Sequence, residues 1–159
     1  MRVGFGYDIH RLVRGRMLVL GGVEIPSEAG EEGFSDGDAL IHAVIDSLLG
    51  PCGLGDIGEN FPPGDERYRN ADSRTLLRQV RAMIGDAGFR IGNLDCVVVL
   101  EKPRILPFVP RVRQAIADDL GISADRVNVR GKTKEGVDAT GEGRAVEAYA
   151  VALLTEGTA

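Results

Sequence analysis

Asp8, His10 and His42 have side chains of the types that bind a transition metal. The first two lie close to the N-terminus. If the stretch GYDIH at residues 6–10 is extended, Asp8 and His10 point to the same side, because side chains alternate along a strand. The chain contains two histidines, so a site built from these residues uses both. Two imidazoles and one carboxylate with an open fourth position are typical of a working zinc site. A strand-end Asp-x-His pair can also be only a hydrogen-bonded polar pair, and the rest of the chain must decide.

The stretch GKTKEG at residues 131–136 is a second group with chemical potential. Lys132, Thr133, Lys134 and Glu135 supply two cations, a hydroxyl and a carboxylate. A single carboxylate together with substrate phosphates is the usual environment of Mg²⁺ in proteins. The pattern therefore favours a phosphate that carries its own Mg²⁺, although a solvated charged turn has the same composition.

Length and composition limit the class of protein. We expect the 159 residues to form one domain, 1–159, which is long enough for a real core. Hydrophobic residues make up 43% and charged residues 27%, and no apolar run approaches the roughly 18 residues of a membrane helix. The first ten residues lack the pattern of a signal peptide, so we expect a cytoplasmic protein. Cys52 and Cys96 lack C-x-x-C spacing and are expected to be reduced thiols.

The net charge restricts the partners. A charge of −5 argues against a broad nucleic-acid surface. An acidic protein that binds a phosphorylated substrate must supply positive charge locally, from a metal ion, a helix N-terminus or a few basic side chains. The two groups of residues described above are the places where we expect that charge.

A helix predicted at residues 35–50 would carry one of the histidines. Its apolar residues recur every four positions, and Ser35 or Asp36 is expected to cap its first turn. Polar residues at every fourth position form a row on the same helix: Asp38, His42 and Asp46. Such a row usually faces water, but on a helix buried on both flanks it can face a site.

The remaining elements are predicted from their period and from the turn residues that bound them. In chain order we predict a strand at 2–8, a hairpin at 17–25, the helix at 35–50, a loop at 50–73, a helix at 73–87, a strand at 94–100, a helix at 107–121, a strand at 126–131, a polar loop at 132–143 and a strand at 144–154. This order indicates an α/β or α+β fold with helices over one sheet. The first of the two loops is too long for an ordinary connector, which favours a functional loop that folds over a ligand.

Six stretches together resemble the successive signatures of the 2-C-methyl-D-erythritol 2,4-cyclodiphosphate synthase family. They are GYDIH, FSDGDALIHAVIDSLLG, GDIGENFP, ADSRTLL, EKPRILP and VNVRGKTKEGVDATGEGRA. Any one of them can arise by chance, whereas six in the same order and at matching separations are specific. The resemblance runs from residue 2 to about residue 154, which is nearly the whole chain.

The resemblance implies an enzyme of non-mevalonate isoprenoid synthesis. Such an enzyme converts 4-diphosphocytidyl-2-C-methyl-D-erythritol 2-phosphate to the cyclic diphosphate and releases CMP. The resemblance further implies Zn²⁺, or another divalent transition metal, on Asp8, His10 and His42, and Mg²⁺ or Mn²⁺ placed on the substrate diphosphate by Glu135. It implies a homotrimer of ferredoxin-like domains with sites between neighbouring subunits. Nucleic acids and membranes are not expected partners.

The resemblance also assigns residues to the substrate. The expected catalytic group is Lys132, Thr133 and Glu135. The residues expected around the metal and the methylerythritol end are Asp8, His10, Phe34, Ser35, Asp56, Ile57, Gly58, Phe61 and Asp65. The residues expected around the cytidine and the phosphates are Arg104, Ile105, Leu106, Lys132, Thr133, Lys134 and Glu135.

Phe34 departs from the family pattern, which usually has a histidine before Ser-Asp-Gly-Asp. A histidine there could donate a hydrogen bond to a phosphate oxygen, and a phenyl ring cannot. We therefore expect Lys132 and Lys134 to supply the missing donors. The alternative is that Phe34 is only a packing residue before a Ser35 cap.

Two other functions remain open. A zinc-dependent nucleotide-diphosphate phosphohydrolase would use the open metal position to activate water. A non-catalytic trimeric metal-binding module would lose its fold with its zinc and turn nothing over. The products separate these alternatives, because only cyclisation keeps both transferred phosphates on the sugar in one ring.

Overall fold

The structure is a computed structural model that describes residues 1–157. Its strands are β1 (Arg2–Arg14), β2 (Leu18–Leu20), β3 (Val23–Ile25), β4 (Ala29–Glu31), β5 (Phe89–Val99), β6 (Val127–Lys132) and β7 (Ala145–Glu156). Its α-helices are α1 (Ala39–Leu49), α2 (Ile57–Asn60), α3 (Ser73–Asp86), α4 (Val109–Leu120) and α5 (Asp138–Gly141). Short 3-10 turns lie at Gly50–Cys52, Glu66–Tyr68, Leu106–Phe108 and Ala124–Arg126.

The periodic segments are confirmed and the two predicted loops are only partly so. The hairpin, the three long helices and the strand after residue 144 are present. Helices α2 and α5 lie inside segments predicted as loops, and β4 was not predicted. β4 has three residues, which is too short for a period, and it forms because β1 continues past residue 10 to pair with it at Leu12–Glu31.

The strands form a mixed sheet in the order β4-β1-β7-β5-β6, beside the separate β2-β3 hairpin. Neighbouring strands are antiparallel except for β5 and β6, which are parallel and joined through α4. The buried residues of β1, β5 and β6 alternate, and the long helices pack on that one face, as predicted. The ferredoxin-like part of the prediction is wrong. That fold has the order β-α-β-β-α-β, whereas here α4 directly follows β5 and the last strand returns to the centre of the sheet.

Two glycines of β1 allow α1 to lie directly against the sheet. A Cβ atom on Gly4 would come within 1.9 Å of the Ser47 carbonyl oxygen, and one on Gly6 within 1.9 Å of the Ala43 carbonyl oxygen. Any larger residue would push the helix away from the strand. This close contact places the first half of β1, up to Asp8, directly beside α1.

Asp38, not Ser35 or Asp36, caps α1. Its carboxylate accepts the Ile41 N–H at 3.0 Å and also binds the backbone N–H groups of Gly21 and Gly22 at 3.0 and 2.6 Å. One buried side chain thus joins the helix to the turn of the β2-β3 hairpin. The three residues of the predicted polar row therefore have different roles. Asp38 caps the helix, Asp46 accepts the Ile57 N–H at 2.8 Å, and only His42 reaches the candidate site.

The face of the sheet opposite the helices is apolar and open along β1 and at Val151 of β7. The side chains of Val3, Phe5, Tyr7 and Ile9 on β1 and Val151 on β7 are between 41% and 67% exposed. A contiguous apolar patch of this kind usually marks an interaction surface. Within residues 1–157, no helix is long and apolar enough to cross a membrane.

Candidate active site

Asp8, His10 and His42 meet where β1 passes α1. The Asp8 Oδ2 atom lies 3.0 Å from Nε2 of His10 and 3.0 Å from Nδ1 of His42. One ligand atom of each residue lies within 4.8 Å of the other two, and this group can hold a metal ion. The prediction that the two strand residues face one side and are joined by the helix histidine is confirmed.

The remaining nitrogen of each imidazole is already bound. His10 Nδ1 donates to the Gly37 carbonyl at 2.5 Å, which leaves Nε2 for a metal. His42 Nε2 lies 3.2 Å from Ser35 Oγ and 3.0 Å from Ser73 Oγ, so Nδ1 is the nitrogen that points at Asp8. Metal-binding histidines are commonly oriented in this way, and the donor set fits a zinc-type ion.

The charges of the group are coupled. Burial alone would raise the pKa of Asp8, but hydrogen bonds to His10 and His42 outweigh it and hold that pKa well below its usual range. Burial alone would lower the pKa of His10, and the bond to Asp8 reverses the direction and raises it. Asp8 is therefore an anion, and it stabilises a positive charge beside it, whether on a protonated histidine or on a metal ion.

Glu31 lies next to this group and was missed from the sequence. Its side chain is fully buried, its Oε2 accepts the Ala39 N–H at 3.0 Å, and the same oxygen lies 3.9 Å from His10 Nδ1. Its Oε1 has no hydrogen-bond partner among the described residues. Burial raises the pKa of Glu31 well above its ordinary value. Glu31 is the last residue of β4 and joins that strand to the first turn of α1. In the sequence it was only a carboxylate in a segment where no strand was predicted.

The three ligands open into a cavity of about 240 Å³, here called the metal cleft. Its other walls come from the segment before α1, from α2, from the segment that follows α2 and from α3. The lining residues are Asp8, His10, Phe34, Ser35, His42, Ile57, Gly58, Phe61, Pro63, Tyr68 and Leu76. Much of the long segment after residue 50 thus covers this cleft. Asp56 and Asp65 do not line it; their carboxylates cap α2 and the following 3-10 turn.

A second cavity of about 400 Å³, the loop cleft, contains most of the other predicted residues. Its walls come from the ends of β5 and β6 and the segments after them. The lining residues are Val98, Leu100, Glu101, Pro103, Arg104, Ile105, Leu106, Gly131, Lys132, Thr133 and Glu135. Thr133 Oγ1 donates to Glu135 Oε1 at 2.8 Å, so the hydroxyl and the carboxylate act on one place.

Lys134 is not among the residues that line the loop cleft. Its Nζ lies 2.5 Å from Glu147 Oε1 and 2.8 Å from Asp138 Oδ2. Glu147 is buried and also accepts the hydroxyls of Thr140 and Tyr149, at 2.6 and 2.5 Å. Hydrogen bonds to the two carboxylates raise the pKa of Lys134. Of the two lysines expected to replace a histidine donor, this one is bound to carboxylates of its own chain.

The two clefts lie near the same end of the strands and on the same face of the sheet. Asp8 is in register with Ala148 of β7, which faces Val98 of β5, which faces Gly131 of β6. Three strand spacings of roughly 4.8 Å separate Asp8 from Gly131 by about 14 Å. The two clefts of one chain are therefore about three strand spacings apart across the width of the sheet.

A family model described as the YgbB family matches residues 1–155. The chain belongs to the YgbB family. Among its relatives, a protein of Treponema denticola named 2-C-methyl-D-erythritol 2,4-cyclodiphosphate synthase is 50% identical over 154 residues, which cover 97% of this chain and 96% of that protein.

Solved structures agree with this family membership. A 2C-methyl-D-erythritol-2,4-cyclodiphosphate synthase described as the bound form with CDP is 38% identical, with a TM-score of 0.90 over 97% of this chain and 100% of the other. The bifunctional IspDF of Campylobacter jejuni is 34% identical with a TM-score of 0.94, and this YgbB-family chain covers 42% of its length.

Proposed function

We propose that this chain cyclises 4-diphosphocytidyl-2-C-methyl-D-erythritol 2-phosphate to 2-C-methyl-D-erythritol 2,4-cyclodiphosphate and releases CMP, in non-mevalonate isoprenoid precursor synthesis. The observation that carries the proposal is the Asp8, His10 and His42 group opening into a cleft of a YgbB-family fold. The names of the relatives and the CDP in the neighbouring structure support the same reaction. A cytoplasmic location remains a prediction.

The reaction needs no protein nucleophile. An oxygen of the 2-phosphate forms a bond to the phosphorus of the sugar-linked phosphate in the diphosphate. The bond from that phosphorus to the bridging oxygen breaks, and CMP leaves with the electron pair. The protein must bring anionic groups together in line and neutralise them, which is a task of positioning and electrostatics.

Each cleft has a part in that task. Asp8, His10 and His42 would hold Zn²⁺, or another divalent transition metal, which when bound supplies Lewis acidity to phosphate oxygens. In the loop cleft, Glu135 would hold Mg²⁺ or Mn²⁺ on the diphosphate, since a carboxylate with substrate phosphates suits such ions. Thr133 and Lys132 would donate hydrogen bonds to the phosphates.

The remaining assignments separate the two ends of the substrate. Ser35, Phe34, Ile57, Gly58 and Phe61 would enclose the methylerythritol end, because they line the metal cleft. Arg104, Ile105 and Leu106 would surround the cytidine. Asp56 and Asp65 remain predicted substrate ligands. Their carboxylates also cap short helical turns, so the same groups would have to bind the sugar.

We further propose a homotrimer in which the metal cleft of one subunit meets the loop cleft of the next. The open apolar face of β1 and β7 supports association, because a patch of this kind is costly to leave in water. The separation of about 14 Å between Asp8 and Gly131 across one sheet supports a site completed by a neighbour.

Phosphorus NMR of the products tests the proposal. The protein is incubated with the diphosphocytidyl substrate and Mg²⁺, and we expect CMP together with the two coupled signals of one ring diphosphate. Two uncoupled phosphate monoester signals, from an open 2,4-bisphosphate in place of the ring, would indicate the phosphohydrolase alternative. Bound zinc without any turnover would indicate the metal-binding module.

A further inference from the structure

The metal cleft has an aromatic wall that carries an arginine. Phe34 lines the cleft together with the metal ligands, and the Cζ atom of Arg69 lies 5.0 Å from the centroid of its ring. A guanidinium at this distance from an aromatic face is held by the negative charge of the ring face. Phe34 stands where the family usually has a hydrogen-bond donor, and its ring supports a donor from another segment, Arg69.

The backbone fixes this arrangement. The Asn70 N–H donates to the Phe34 carbonyl at 2.9 Å, and the Asp36 N–H donates to the Ala71 carbonyl at 3.1 Å. The Ser73 N–H adds a bond to the Asp36 carboxylate at 3.0 Å. The residues that follow Arg69 are thus bonded to Phe34 and Asp36, in the segment that leads into α1.

The residues that line the metal cleft supply no permanent positive charge of their own. None of them is a lysine or an arginine, and Arg69 adjoins the cleft only through Phe34, which is a lining residue. Lys132 lines the loop cleft, and Lys134 is bound to Glu147 and Asp138. A substrate with three phosphates needs positive charge beyond that of the metal ion that these ligands would hold.

Arg69 has a partner that it can exchange. Its Nε and one terminal nitrogen bind the two oxygens of Glu66 at 2.7 Å each, a two-pronged geometry that a phosphate also satisfies. The side chains of Arg69 and Glu66 are 55% and 73% exposed, so water screens their attraction and the pair costs little to separate.

We propose that Arg69 is a phosphate-binding residue of the metal cleft, with the Phe34 ring as its platform. On substrate binding its guanidinium leaves Glu66 and binds the phosphate nearest the metal ligands, in the role that a histidine at position 34 would fill. This inference rests on the proposed function, and it gives the metal cleft a phosphate donor from its own chain, in addition to the Lys132 that the loop cleft of a neighbouring subunit would bring.

The test compares two ligands and four variants. Calorimetry measures the affinity of the zinc-loaded protein for the cyclodiphosphate product and for CMP. We expect Arg69→Met to weaken cyclodiphosphate binding about tenfold, the scale of one charge-assisted hydrogen bond at an exposed position, and to change CMP binding less than twofold. Arg69→Lys should restore part of the loss. Arg81→Met removes the same charge from an exposed position on α3 and should bind like the parent.

Glu66→Gln separates phosphate binding from a structural role. If Arg69 exchanges partners, loss of the competing carboxylate leaves cyclodiphosphate affinity equal to the parent or tighter. If the ion pair only holds the segment in place, Glu66→Gln weakens binding as much as Arg69→Met, and the inference is wrong. Equal losses in Arg69→Met and Arg81→Met would also overturn it. A parent protein that makes CMP and the open 2,4-bisphosphate would contradict the proposed function instead, and that outcome is read from the products before any variant is measured.

Discussion

The metal cleft and the loop cleft lie near the same end of the strands of one sheet, but they are held by different means. In the metal cleft each histidine is fixed by further bonds inside the chain: His10 donates to the Gly37 carbonyl, and His42 Nε2 bonds two serine hydroxyls. In the loop cleft Lys132, Thr133 and Glu135 are exposed. The first cleft is ready for its ion, whereas the second presents groups that a diphosphate and its cation would complete.

The backbone of the segment after β6 is held by one buried side chain. Glu135 and Asp138 have φ angles of 52° and 61°, a left-handed region that costs free energy for residues other than glycine. The buried Glu147, through Lys134, holds the segment that contains them. The metal cleft depends on a buried helix and a strand, and the loop cleft depends on one buried carboxylate. We therefore expect damage to the metal cleft to abolish function and damage to the loop cleft to be graded.

The largest expected effect is that of His42→Ala. Removal of one of three ligands should reduce bound zinc from about one per chain to a trace and lower turnover at least about a thousandfold, the equivalent of several kcal/mol of lost charge stabilisation. Elemental analysis after dialysis measures the zinc. Asp86→Ala, an exposed carboxylate at the end of α3, is the control and should retain it. Unchanged zinc in His42→Ala would show that the three residues are only a polar cluster.

The parts of this cleft that depend on local periodicity were predictable. Asp8 and His10 share a face because a strand alternates, and His42 lies on a helix with a clear apolar period. Asp38 was not predictable as the cap, because the choice over Ser35 depends on the amides of Gly21 and Gly22, about 17 residues away.

The interactions that were missed are all between distant segments. Glu31 reaches His10 only because β4 pairs with β1, and Arg69 reaches Phe34 only because the segment after α2 returns to α1. The ferredoxin-like topology, which came from the resemblance, was wrong because a helix stands between β5 and β6 where that fold has two consecutive strands. Local pattern predicts which elements form, and tertiary pairing decides which side chains meet.

The next largest effect is expected in the loop cleft. Glu135→Gln should retain zinc but lower turnover about a hundredfold and raise the Mg²⁺ concentration needed for half activity, because an amide is a weaker ligand for a hard cation. Zinc analysis and a Mg²⁺ titration measure the two quantities separately. Glu142→Gln is a matched control, since Glu142 is exposed and pairs with Arg144. Loss of zinc with Mg²⁺ dependence unchanged would reverse the roles of the two clefts.

A complementation experiment tests whether the clefts of different subunits form one site. Asp56→Ala with His10→Ala is a poor pair, because both residues belong to the metal side of the molecule. His10→Ala with Glu135→Gln damages different clefts. In randomly mixed trimers, every hybrid has one intact pair of neighbouring clefts out of three, so about a quarter of the parent activity should return. Proven subunit exchange without recovery would mean that each chain works alone.

The smallest effect is expected from Phe34→His, and it measures how closely the two clefts cooperate. In the parent the change should alter turnover less than about threefold, because Arg69 already lies over this position. Lys132→Ala should cost roughly tenfold to a hundredfold, the scale of one charge-assisted hydrogen bond. Phe34 and Lys132 line different clefts of one chain, so a coupling between them requires that both reach the same phosphates. We therefore expect Phe34→His to recover activity two- to threefold in the Lys132→Ala background and less in the parent. If the double variant is simply the product of the single effects, the two clefts act independently on the substrate.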